Sequence, residues 1–108
     1  MYHLNTNNKL FDVTFNKEID AIEIKRIKEY SDGSCTVYLE ADVKSSIYYL
    51  RHFKYGSNLI IKNGDKVIYE LNDCYLDYME ITNLVTYNEK AVTYIAAINC
   101  DFINNLDE

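Results

Sequence analysis

Tryptophan and proline are absent from this chain, histidine occurs twice, and glycine occurs three times, at Gly33, Gly56 and Gly64. Each glycine falls at a turn, so no glycine-rich loop exists to wrap a phosphate, and neither a Ser-x-x-Lys nor a Gly-x-Ser-x-Gly nucleophile signature occurs. His3 and His52 lie far apart, and neither has a cysteine, aspartate or second histidine at a ligand spacing. His52 reads as a surface cation near a helix end. The three cysteines, Cys35, Cys74 and Cys100, are scattered, odd in number and without C-x-x-C spacing, so they read as small buried apolar residues. Carboxylates are many, yet none pairs within an acid-base motif. The expectation is a protein that is not an enzyme, with no catalytic, cofactor-binding or metal residues.

Cations are scarce as well. Eleven Lys and Arg against seventeen Asp and Glu leave a net charge of −6, with the basic residues spread out instead of clustered. Phosphate backbones are repelled over most of such a surface, which disfavours direct nucleic-acid binding. No apolar run approaches bilayer length, and the start, MYHLNTNNK, lacks the apolar centre of a secretion signal. The expected location is therefore cytoplasmic, with no membrane partner. A chain of 108 residues is one domain by length, and 48% hydrophobic with 26% charged residues is the balance of a folded chain. Residues 1–9 and 104–108, polar or acidic, read as flexible tails. Abundant Asn, Ile, Lys and Tyr suggest AT-rich coding, as in a low-GC bacterium or one of its viruses.

What is present is organised around Ser34–Gly56, where the hydrophobic period changes. Cys35, Val37, Leu39 and Ala41 alternate with Thr36, Tyr38 and Glu40, the signature of a half-buried strand. After Asp42 the spacing becomes helical: Val43, Ile47, Leu50 and Phe53 form one stripe, Asp42 can cap its start, Arg51, His52 and Lys54 suit its end, and Gly56 can supply a left-handed stop. One short helix at about residues 43–55 is expected, with strands elsewhere. Leu10–Phe15 alternates, with Phe11, Val13 and Phe15 against Asp12 and Thr14. In Ile19–Tyr30, Ile27 falls out of phase with Ile22 and Ile24, which predicts a bulged strand ahead of the Ser31-Asp32-Gly33-Ser34 turn. Asn63-Gly64 is the favoured pair for a tight hairpin, which would set Lys62 opposite Asp65 and Leu59 and Ile60 opposite Ile68 and Val67. The strand beyond it runs through Cys74, Leu76 and Tyr78 with a break at Asn72-Asp73. Val92–Phe102 is the clearest strand: Val92, Tyr94, Ala96, Ile98, Cys100 and Phe102 share a face, and alanines on both sides suit a position inside a sheet. The fold class is mainly β (α+β), an antiparallel β-sandwich or half-open barrel with that one helix.

Eleven tyrosines are the conspicuous excess. Tyr48, Tyr49 and Tyr55 cannot all face the helical stripe, and Tyr38 shares the outward face of its strand. Two readings stand: tyrosines that rim a small core, or tyrosines that form an interface, with Tyr38, Tyr48, Tyr49 and Tyr55 as the candidates.

The element order resembles the tail tube proteins of contractile-tailed phages and related baseplate tube proteins. The matching pieces are FDVTF, the strand-to-helix stretch TVYLEADVKSSIYYLRHF, the hairpin LIIKNGDKVIYELNDCYLDYMEI, the turn Tyr87-Asn88-Glu89-Lys90 and the strand AVTYIAAINCDF. The resemblance implies a virion structural protein whose copies form rings by joining sheets edge to edge around an acidic channel. It implies partners that are copies of itself or other virion proteins. A small acidic phage-encoded inhibitor of a nucleic-acid-binding host defence protein is the competing expectation, because size, charge and the missing catalytic motifs suit it too. A regulatory or adaptor domain is a third.

Overall fold

Along β4 (Cys35–Ala41), Cys35, Val37, Leu39 and Ala41 are all buried, as their alternation requires of a strand with one face on a core. A computed structural model describes residues 8–19, 22–41, 49–50, 56–85 and 90–106, and for 82–85 and 90–92 the backbone alone. β4 pairs with β7 (Lys90–Asn105), whose Ala96, Ile98 and Cys100 are buried on the same core, and β7 pairs with β6 (Lys66–Val85). With β1 (Asn8–Asp12), β2 (Lys17–Glu18), β3 (Ile22–Glu29) and β5 (Ser57–Asn63) these make one seven-stranded antiparallel sheet in the order β2-β1-β5-β6-β7-β4-β3. The sheet curls into a half-barrel, which brings β1 close to β3. The half-open barrel is thus the form the expected β architecture takes, and β7 lies inside it.

Irregularities in the strands create that curl. β6 has twenty residues and would run about 63 Å if straight, yet the longest principal extent of the molecule is 44 Å. It must bend. The corner is at Asp73, where the sequence suggested a break: Asp73 has φ of 53°, in the left-handed region. Leu71 and Cys74, three residues apart, are both buried, so the backbone exchanges faces between them. The opposite strand follows, since Cys100 is buried and Ile103 packs on the same core while Phe102 between them is exposed. An aspartate tolerates this conformation and a β-branched residue does not. Asp73→Val is therefore expected to destabilise the fold by about 1–2 kcal/mol and Asp73→Gly to leave it unchanged or firmer, as read from urea denaturation midpoints.

Two bulges add twist. One residue, Lys25, is inserted in β3 between Ile24 and Arg26, and this restores Ile27 to register with Val37, as the phase slip predicted. The other is Asp77 in β6, between Leu76 and Tyr78. The turn joining β3 to β4 closes through Tyr30 N–H donating to Ser34 O and Ser34 N–H donating to Asp32 Oδ1 at 2.9 Å. The hydroxyl and amide of Ser34 hold the Asp32 carboxyl below its ordinary pKa.

Four sequence expectations change. The apolar side of the first strand is reversed: Leu10 and Asp12 are buried, whereas Val13 and Phe15 are exposed in the turn that follows β1. That turn begins because Asn16 takes a positive φ of 50° and Asp12 Oδ1 accepts the Thr14 N–H. The β5–β6 turn is centred on Gly64-Asp65 with Asn63 opposite Lys66 and Lys62 opposite Val67. Gly64 alone of the two central residues has positive φ, which fits a primed turn with glycine first. A bulge near Ile68 then sets Leu59 opposite Leu71 and Ile61 opposite Tyr69, so that all four reach the core. Asn8, Lys9, Asn104 and Asn105, expected within flexible tails, lie in strands: Asn8 and Lys9 pair with Asn63 and Lys62, and Asn104 and Asn105 with Glu70 and Tyr69. Phe102 leaves the shared face of its strand at the corner.

Of the expected helix, Tyr49 and Leu50 are described; both are helical, and Leu50 is fully buried. Gly56 has the positive φ, 97°, that the expected stop needs. Tyr48, Tyr55, His3, His52 and the turn at Tyr87-Asn88-Glu89 lie outside the described residues.

Candidate functional site

The outer face of the sheet carries three transverse rows set by strand register. Lys28, Thr36, Asn99 and Tyr75 form the first, across β3, β4, β7 and β6. Arg26, Tyr38, Ala97 and Tyr78 form the second, and Glu23, Glu40, Ile95 and Glu80 the third. Both bulges flank the second row, and they aim Arg26 and Tyr78 onto this face beside Tyr38 and Ala97.

The first row is a hydrogen-bonded ladder. Thr36 Oγ1 donates to Asn99 Oδ1 at 2.8 Å, Asn99 Nδ2 donates to the Tyr75 hydroxyl at 3.4 Å, and the Tyr30 hydroxyl meets Thr36 Oγ1 at 3.0 Å. Thr36 is buried although it faces outward, so these bonds satisfy a hydroxyl that water scarcely reaches. In the second row the Arg26 guanidinium lies 5.7 Å from the Tyr38 ring centre, and in the first row the Lys28 ammonium lies 5.4 Å from that of Tyr30. Ala97, in register between Tyr38 and Tyr78, is fully buried. In the third row Glu23 stands opposite Glu40, a like-charge pair, and Lys25 on its bulge reaches them at 3.3 and 3.8 Å. Bonds of this exposed kind contribute little stability.

Beside this face runs an edge that no described strand pairs. β5 pairs with β6 only as far as Cys74, so from Leu76 to Val85 no described strand lies on the side of β6 away from β7. β4 pairs with β7 only to Tyr94, so the hairpin from Ile81 and Tyr94 onward is two strands wide among the described residues. Ile81, at 62% exposure, and Tyr78 mark this edge with large apolar groups.

Tyr38, half-buried, lies on the outer face as expected. Tyr49 turns inward: its hydroxyl donates to Asp12 Oδ2 at 2.7 Å, and the Lys17 ammonium sits 4.8 Å from its ring centre. Asp12 is 1% exposed, so the bond fastens the middle of the chain to β1 through a carboxylate that water does not reach. Sequence reasoning missed Tyr75 and Tyr78, because only register and the Asp77 bulge decide which β6 side chains share the face of Tyr38, and it missed Ile81, whose register with Tyr94 and Ala41 sets it on the opposite face. It also missed that Cys35, Cys100 and Cys74 are direct neighbours across three strands. Among the described residues no group of three or more His, Cys, Asp or Glu is placed to hold a metal ion, and no helix is long and apolar enough to cross a membrane. No protein-family model matches the chain, and no curated protein matches it at a significant level.

Proposed function

We propose that this protein is a non-enzymatic structural subunit that joins copies of itself head to tail through strand edges. The observation that carries the reading is the side of β6 from Leu76 to Val85, which no described strand pairs and on which Ile81 is exposed. An edge of that length is a hazard for a protein that stays alone, and a closed ring hides it. Charge gives one pairing a small advantage: Asp77 and Glu80 border the β6 edge, and β3, the last strand at the far side of the sheet, exposes Lys25, Arg26 and Lys28 against two carboxylates, Glu23 and Glu29. Pairing β3 of one copy with β6 of the next sets opposite charges together and joins two different surfaces, the geometry from which rings are built. The resemblance to phage tail tube and baseplate subunits points the same way, to a virion component assembled as rings.

Light scattering on the purified chain is the test. The wild type is expected to show the mass of a closed oligomer, and Ile81→Lys to shift it toward monomer with the far-UV circular dichroism unchanged, since within a single copy the side chain is solvated. A wild type that remains monomeric at high concentration would sink this reading. Salt-sensitive binding of that monomer to a basic host protein would then support the acidic-inhibitor alternative.

A further inference from the structure

The core holds a row of three thiols whose reactivity neither the fold nor the proposed assembly uses. Cys100 on β7 stands directly opposite Cys35 on β4 and directly opposite Cys74 on β6. All three are free and no more than 2% exposed, and Cys74 Sγ lies 3.0 Å from Cys100 Sγ. Directly opposed residues of an antiparallel pair have Cα separations of about 4.5–5.5 Å, inside the range a disulfide requires. Cys35 and Cys74 are two strand spacings apart, about 9.5 Å, too far for a bridge. Cys100 is therefore the obligatory member of any pair.

We propose that Cys74 and Cys100 are a modification site, closed to a disulfide by a small peroxide, with Cys35 as the thiol left over. One thiolate attacks a peroxide oxygen, the O–O bond breaks, and a sulfenic acid and hydroxide form. The facing thiol attacks that sulfur and expels a second hydroxide. The two thiol protons neutralise the hydroxides, so two thiols lose two electrons and one hydrogen peroxide becomes two waters. A peroxide fits the burial, being uncharged and scarcely larger than water, whereas bulky thiol reagents are excluded from the closed core. The Cys35 and Cys74 thiols, and after them burial, push the Cys100 pKa well up, which makes the oxidation slow. The bridge would pin β6 to β7 one residue beyond the Asp73 corner, where the two halves of the sheet meet.

The folded protein is treated with hydrogen peroxide, unfolded in acid, alkylated, digested and mapped by mass spectrometry. The wild type is expected to keep one alkylatable thiol, Cys35, and to yield a Cys74–Cys100 linked peptide that dithiothreitol releases. Cys35→Ala is expected to keep none, and Cys100→Ala to keep both of its thiols. Three intact thiols, sulfinic acids without a bridge, a Cys35–Cys100 product, links between molecules only, or equal bridging in Cys100→Ala would each overturn the assignment. Far-UV circular dichroism checks that each variant folds, and the wild-type peptide map decides by itself if one does not.

Discussion

Ile98→Ala is expected to lower the unfolding free energy by about 2–5 kcal/mol. Ile98 has no exposed surface, and it sits on the inner strand β7 in register with Val37 on one side and Leu76 on the other. Those neighbours are held by their own ladders and cannot collapse into the space, so a cavity cost adds to the lost transfer energy. Against a total stability of about 5–15 kcal/mol for a domain of this kind, that is a large fraction. The urea midpoint should fall with the slope unchanged, and Ile98→Val, which removes one methylene, should cost only about 0.5–1.5 kcal/mol. Equal losses for the two substitutions would show that the centre of the sheet is loosely packed.

Tyr49→Phe is expected to cost about 1.5–3 kcal/mol, because it withdraws a hydroxyl from a buried carboxylate and puts nothing in its place. The same bond has a pH signature. Burial first, then the Asp12 hydrogen bond and the Asp12 charge, raise the Tyr49 phenol from an ordinary 10.0 to about 12. Between those values the folded chain keeps a proton that the unfolded chain releases, so this contribution is complete below pH 10 and fades as pH rises toward 12. Chemical denaturation of the wild type across that window should show stability falling with pH, and Tyr49→Phe should fall less steeply. Parallel curves would remove Asp12 and Tyr49 as the source of the dependence.

Both effects arise where neighbours in the fold are far apart in the chain, and that separation decides what could be read in advance. Local pattern carried far. Alternation located β4 and β7, the misplaced Ile27 announced the bulge at Lys25, and Asn72-Asp73 marked the corner of β6. In each case the signal is a side-chain period or a backbone preference contained in a few consecutive residues. The first strand misled for the same reason: Phe11, Val13 and Phe15 are more apolar than Asp12, but a turn takes the last two out of the sheet and Tyr49 supplies Asp12 with a partner from elsewhere in the chain.

The identity of most strands, the Ser31–Ser34 turn and an acidic, motif-poor character were legible in the amino-acid sequence alone, because each depends on composition or on neighbours in sequence. The three-thiol row, the Asp12–Tyr49 bond, the outer ladder of Tyr30, Thr36, Asn99 and Tyr75, and the side of β6 that no described strand pairs were decided by tertiary structure. Each depends on register between strands, and a shift of one residue would carry every one of those side chains to the opposite face. Register is set by how the whole sheet buries its apolar side, a collective balance that no short stretch of chain contains.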